Sequence, residues 1–392
     1  MLIRCLKVSG LLSFGPQGLD LPLEPLNVLI GPNGSGKSNL LEILALLRAA
    51  PVNLPEPIKE MGGVREWLWK GESLIQEASV EALVDYPGVQ PLRHSLSITE
   101  NGGRFEVADE RIENERAYPG KEEPHFYYRF QRGHPVLKEF DKEKRTLRRE
   151  SVNPEQSILS QVRDPERYPA VAWLQQQYEA IRLYRNWSFG PGAALRRAQS
   201  AHARSDFLSE GGENLALVLS KTRSRGKLEF LKSLQILYEG IEDFHLTVEG
   251  GNVLLFLQER GGREIPATRL SDGTLRYLSL LAILLHPDPP PLAAIEEPEL
   301  GLHPDVIPHL AELLIQASAR IQLVVTTHSR MLVDALSHQP SSVVVCRQED
   351  GESRFTRLDA QAMQAWLDKY SLGDLWSMGE IGGNRWPARQ LC

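Results

Sequence analysis

Residues 31–38 read Gly-Pro-Asn-Gly-Ser-Gly-Lys-Ser and fit the pattern G-x-x-x-x-G-K-[ST]. The apolar run Leu26 to Ile30 precedes them, and Asn39 to Ala49 (NLLEILALLRA) follows with leucines at helical spacing. Strand, glycine-rich loop and helix in that order let backbone N–H groups curl around a phosphate, with the positive end of the helix dipole behind them. Lys37 then neutralises β and γ oxygens, and the Ser38 hydroxyl ligates Mg²⁺. The candidate nucleotide contacts are Asn33, Gly34, Ser35, Gly36, Lys37, Ser38 and Asn39. Such a loop predicts an α/β chain of the P-loop NTPase class, with a mostly parallel core sheet.

The 392 residues give room for one large α/β core with insertions, or for two domains. Charged residues at 24% and hydrophobic ones at 42% argue against wholesale disorder or a fibrous repeat. The net charge of −7 removes any global pull toward nucleic acid or anionic membrane, so such partners need a local basic patch. Cys5, Cys346 and Cys392 form no CxxC pair, which suggests neither a disulfide framework nor a zinc site and fits a reducing cytoplasm. The longest mostly apolar run, Leu278 to Leu285, is far short of the roughly 20 residues a membrane helix needs, so no membrane partner is expected.

The pattern predicts an N-terminal lobe over 1–135, with an antiparallel β layer from about 75 and a hairpin signal at Asn101-Gly102. A charged and helical insertion is expected over 136–245, with a short helix in 136–160 and helices at 171–183 and 213–239. A second lobe over 246–340 begins with strand pairs joined by Gly250-Gly251 and Gly261-Gly262. Helix 274–285, strand 292–295, helix 304–318, strand 321–326 and helix 329–337 follow, then a strand and helix extension over 341–392.

Chemistry recurs in that second lobe. The strand ending Ala294-Ile295 delivers Glu296 and Glu297 at its C-terminal end, the ligand edge of a parallel sheet. Adjacent positions face opposite ways, so Glu296 suits a magnesium shell and Glu297 a general base that polarises water. Ser271-Asp272-Gly273 stands before an apolar helix and offers a second anion-binding turn. With a single copy of each motif, one nucleotide uses both turns only if the second comes from another molecule or domain, which points to a head-to-tail homodimer. His328, at the end of another apolar strand, can reach a γ-phosphate or the attacking water, so Glu297, His328 and Lys37 are the candidate catalytic residues. The basic stretch 221–227, with Arg196, Arg197 and Arg204, could touch a phosphate backbone, though a solvated surface is the commoner role. Tyr184, Trp187 and Phe189 could stack on bases but more often such residues fill a core.

In this order the motifs resemble those of the ABC-type ATPases, specifically the SMC/RecF/OLD-like branch of stand-alone AAA family ATPases. Walker A (31–38), signature (270–274), Walker B (292–297), D-loop (298–304) and H-switch (His328) follow the family order. Gly373-Asp374-Leu375-Trp376 and Gly379-Glu380-Ile381-Gly382-Gly383 also look like small stand-alone members. Glu296 where most relatives carry Asp, and His303 at the usual D-loop Asp, resemble the E-E-P-E-x-x-L-H-P form of OLD-like members, while Asp272 replaces a more frequent Gly. The Q-loop glutamine is not assigned, Gln76 and Gln161 both being candidates. No heptads interrupt the head. The resemblance implies a switch that closes as a homodimer around two Mg·ATP in DNA repair or antiviral defence, with DNA and a separately encoded nuclease or effector as partners. Alternatives are a nucleotide-gated protein-binding module with slow turnover and a transporter ATPase subunit. The missing N-K-x-D motif weighs against GTP.

Overall fold

The computed structural model describes residues 1–71, 75–131, 134–138, 144–146, 152–237 and 239–383. The chain divides into two compact units, one built from Met1–Ile181 and Val344–Arg357, the other from Arg182–Val343 and Leu358–Ile381.

The first unit opens with strands β1 (Ile3–Ser9), β2 (Leu19–Pro22) and β3 (Leu26–Ile30), and helix α1 (Lys37–Ala49). Gly15-Pro16 separates β1 from β2. The short helices α2 (Pro55–Glu60) and α3 (Val64–Trp67) lead into β4 (Glu77–Val84), β5 (Leu92–Asn101), β6 (Arg104–Asn114), β7 (Phe126–Gln131), β8 (His134–Lys138) and β9 (Lys144–Thr146). Together with β1 and β2 these strands form an antiparallel sheet in the order β2-β1-β4-β5-β6-β7-β8-β9. Alternate residues of β4 and β5 are buried, as period-2 patterning requires. Asn101 pairs with Arg104, so the turn is Gly102-Gly103, one residue later than the Asn-Gly signal; both glycines have positive φ, as a primed hairpin turn needs. Helices α4 (Ile158–Gln161) and α5 (Pro169–Glu179) cover the sheet's buried polar cluster. There His94, fully buried, meets Tyr178 Oη at 3.1 Å and Glu110 Oε1 at 3.2 Å.

In part, the stretch 136–160 departs from expectation. It contributes β8 and β9 to the sheet as well as the short helix: along β8 the buried Pro135 and Leu137 alternate with the more exposed His134, Val136 and Lys138. Residues 139–143 and 147–151 lie outside the described set.

The second unit starts with β10 (Arg182–Tyr184), so the helix expected to 183 stops at Glu179. Then come β11 (Gln199–Ser200), α6 (Leu215–Leu237), β12 (Ile241–Glu249), β13 (Asn252–Glu259) and β14 (Arg263–Pro266). Gly250-Gly251 and Gly261-Gly262 make the turns of this antiparallel set. Helix α7 (Asp272–Leu284), β15 (Leu292–Glu296), α8 (Ile307–Ser318), β16 (Gln322–Thr327) and α9 (Arg330–Ala335) supply the βαβ alternation. Strands β10, β15 and β16 are mutually parallel, and β15 and β16 are buried almost end to end, as strands inside a parallel sheet are. Helices α10 (Ala360–Leu367) and α11 (Leu372–Met378) return to this unit; α11 packs on α9, whereas α10 buries none of its residues.

Late in the chain, β17 (Val343–Glu349) and β18 (Glu352–Arg357) pair antiparallel, and β17 lies beside β3 in the first unit. Among the described residues no helix is long and apolar enough to cross a membrane.

Candidate functional site

In the first unit, β3 runs directly into the loop at Gly31. Ser35, Gly36 and Lys37 are buried, while Asn33, Gly34 and Ser38 are exposed. Gly34 (φ 83°) and Gly36 (φ 91°) are left-handed, and Gly36 caps α1 with that conformation. A Cβ on Gly36 would fall against Ser353 of β18 and lie 2.8 Å from Ser13 Oγ. Those serines brace the loop: Ser353 Oγ lies 2.6 Å from Ser13 Oγ, and Asn39 Nδ2 donates to Ser13 Oγ at 2.7 Å. Asn39, expected at the nucleotide, thus also serves the loop's support. Lys37 Nζ donates to Gly31 O at 2.7 Å and Pro32 O at 3.0 Å. The ammonium is folded into the carbonyls of its own loop, and the Ser35 hydroxyl is buried with no partner in the structure. Left-handed glycines, a tethered ammonium and an unmatched buried hydroxyl, all within one turn, fit a polyphosphate.

In the second unit, the ends of β15 and β16 lie side by side. Glu296 closes β15, and Arg185 Nε lies 3.7 Å from its Oε2. Glu297 has φ 45°, rare for a residue with a side chain, and its N–H donates to Thr326 O at 3.0 Å. His328 Nε2 lies 3.8 Å from Glu297 Oε1, and both side chains are little more than one-third exposed. The structure therefore brings Glu297 and His328 together, as the parallel strands predict.

Ser271 caps α7, its Oγ accepting from Thr274 N at 3.1 Å. A Cβ on Gly273 would lie 2.6 Å from Gly301 O, so glycine is what lets the turn at 271–274 pack on the D-loop of the same chain. Asp272, exposed, is held by Arg196, a buried guanidinium. The same Arg196 donates to Leu270 O at 2.6 Å and Phe189 O at 2.6 Å. Arg196 is thus a structural clamp on the signature turn and drops out of any basic surface. Several others of that group are paired too: Lys221 and Arg225 with Asp288, Arg223 with Asp243, and Arg204 with Asp206.

Arg196 was named from the sequence only as a possible phosphate contact, and two further residues were given no role there. Glu299 accepts from Thr327 Oγ1 at 2.5 Å and His328 N at 3.2 Å, tying the D-loop to the histidine. Burial pushes its carboxyl above the ordinary carboxylate range, against those hydrogen bonds. Arg276, on α7, donates to Glu297 O at 2.8 Å. Tyr184, Trp187 and Phe189 stack in series at 5.8 and 5.5 Å, and Arg276 lies over the last two rings. The stack is therefore part of the interior and supports this arginine rather than presenting faces to bases. Among the described residues no cluster of three or more His, Cys, Asp or Glu forms a metal cage. An Mg²⁺ ion that accompanies a nucleotide needs no such cage, since it is commonly held by one or two protein oxygens together with phosphate and water.

A family model described as "AAA domain, putative AbiEii toxin, Type IV TA system" matches residues 26–334. No curated protein matches the sequence. Among solved structures, the fold is similar to an SMC head bound to the C-winged helix domain of ScpA, at 15% identity and TM-score 0.57, covering 92% of this chain and 99% of that one. It is similar also to the SMC head with an extended coiled coil bound to the C-terminal domain of ScpA derived from Pyrococcus furiosus (14% identity, TM-score 0.56, 94% and 98% covered). A third is the SMC head with a coiled coil and joint derived from Pyrococcus yayanosii (12%, 0.52, 94% and 99%).

Proposed function

Since the chain belongs to the AAA-domain family whose model spans residues 26–334 and folds as an SMC-type ATPase head without a long coiled coil, we propose that it is an ATP-driven switch. Asn33 to Asn39 hold the nucleotide, Lys37 neutralises its β and γ oxygens, and Glu297 takes the proton from attacking water while His328 orients it. Ser38 and Glu296 hold Mg²⁺, which neutralises charge developing on the phosphates when bound. Two copies close head to tail, each nucleotide gripped by one copy's loop and the other copy's Ser271, Asp272 and Gly273. Release of phosphate reopens them. The observation that carries this reading is the Glu297–His328 pair at 3.8 Å where two parallel strands end.

The test is turnover against protein concentration, with the parent, Lys37→Ala and Glu297→Gln. Specific activity should rise on going from dilute to concentrated protein. Lys37→Ala should lose nucleotide affinity, and Glu297→Gln should keep it, lose about a hundredfold or more in turnover, and accumulate as an ATP-dependent dimer. Specific activity flat across dilution would remove the composite site. DNA repair or antiviral defence in the cytoplasm, with control of a separately encoded nuclease, is the role this cycle suits. A second reading has a specific observation behind it: two similar heads were solved with a domain of ScpA bound. On that reading closure recruits a protein partner and hydrolysis sets the lifetime of the complex. Stimulation by DNA ends favours the first; a slow rate moved only by a partner protein favours the second.

A further inference from the structure

Glu297 has a left-handed backbone that costs a residue with a side chain free energy and persists only where the surroundings impose it. Three neighbours impose it. Its N–H is bonded to Thr326 O of β16, and its carbonyl oxygen accepts from Leu300 N at 3.1 Å and from Arg276 Nη1 at 2.8 Å. Arg276 is 7% exposed, so this bond is made largely away from water. The guanidinium plane rests on Phe189 at 5.0 Å and Trp187 at 5.5 Å, which fixes the fork so that one N–H can be aimed. Arg276 lies five residues after Ser271 on α7, and Asp272 at the start of that helix is clamped by Arg196, which also donates to Phe189 O. The segment carrying Trp187 and Phe189 is therefore stapled to α7 at both its first and second turns.

We propose that Arg276 is a positioning residue for the general base: it holds the Glu297 peptide in its left-handed form and makes the aim of that carboxylate depend on where α7 sits. A phosphate that settles on the Ser271 turn orders the first turn of α7, and the Arg276 bond passes that order to Glu297 of the same copy. The inference rests on the assignment of Glu297 as base. Lysine cannot replace the arginine, because a point ammonium lacks the planar fork that stacks on two rings while donating to a carbonyl.

The experiment measures steady-state and single-turnover ATP hydrolysis by the full chain for Arg276→Met, Arg276→Lys, Trp187→Leu, Glu297→Gln and the double variant Arg276→Met/Glu297→Gln. Arg276→Met should lower kcat by about tenfold or more with KM moved by less than about threefold, and Arg276→Lys should recover little of it. Trp187→Leu, which leaves the guanidinium in place and serves if Arg276→Met does not fold, should lower kcat by about threefold. Adding Arg276→Met to Glu297→Gln should cause no further loss, since the group being positioned is already gone. Should Glu297→Gln hydrolyse at the parent rate, the base assignment itself falls. Should Glu297→Gln be inactive while folded Arg276→Met and Trp187→Leu stay within about twofold of the parent, only the positioning role falls. A further tenfold or so lost in the double variant would also overturn it, by showing a general structural effect.

Discussion

Gly36 shows how little freedom single residues have here. Its φ of 91° is disfavoured for any L side chain, and its Cα faces Ser353 and Ser13 with no room for a methyl group. Gly36→Ala should therefore lower unfolding free energy by about 2 kcal/mol, read as a lower midpoint in denaturant, and weaken nucleotide binding with it. Glu299 makes a different prediction. Burial raises its carboxyl pKa above the unfolded value, so the folded state favours the protonated form. Its contribution is full below the unfolded pKa and is lost as pH rises through the folded one. Glu299→Gln, which stays neutral, should gain in Tm relative to the parent as pH is raised from about 4 to 8, and a constant difference across that range would show that Glu299 does not titrate differently on folding. The motif glycines and lysine were legible because few residue types can build a phosphate cradle. The roles of Glu299, Arg196 and Arg276 were not, because a buried charge is recognised by its partners, and Thr327, Asp272 and Glu297 lie about twenty to eighty residues along the chain from them.

Among elements, α7 is the one on which most of the second unit's chemistry depends. Ser271 satisfies the Thr274 N–H at its start, and Ser271→Ala should cost about 1 kcal/mol of stability apart from any effect on turnover, measurable by denaturant melts of the nucleotide-free protein. Strands β15 and β16 could be read from sequence because each carries a short continuous apolar run, Leu292 to Ile295 and Leu323 to Val325, the mark of a buried strand. Helices α7 and α8 carried long apolar stripes and were equally plain. By contrast, β10 has only Arg182, Leu183 and Tyr184, too short for any period to emerge, and its identity comes from pairing with β15. The same holds for β8 and β9, whose charged neighbours hide strands that exist by adding to an edge. Helix α10 was legible only as part of the strand and helix extension over 341–392, without bounds, since it buries nothing that would mark a face.

At the scale of the whole chain, charge bears on partners. Within the 221–227 stretch, Lys221 and Arg225 share Asp288 and Arg223 is paired with Asp243, which halves the positive charge the four cations of that stretch carry. Replacing Lys221 and Arg225 together by alanine should change the salt dependence of any DNA binding, measured by fluorescence anisotropy, by less than about one in the slope of log K against log salt. A larger change would mean that the aspartates yield their partners to phosphate. The order in which the chain revisits its units has a further outcome during synthesis. Ser353, which underpins the glycine loop near the N-terminus, emerges from the ribosome more than three hundred residues after Gly36. Until then the nascent loop lacks its floor. A growing polypeptide should consequently be unable to capture nucleotide until the segment carrying Ser353 has been made and has folded back under the loop.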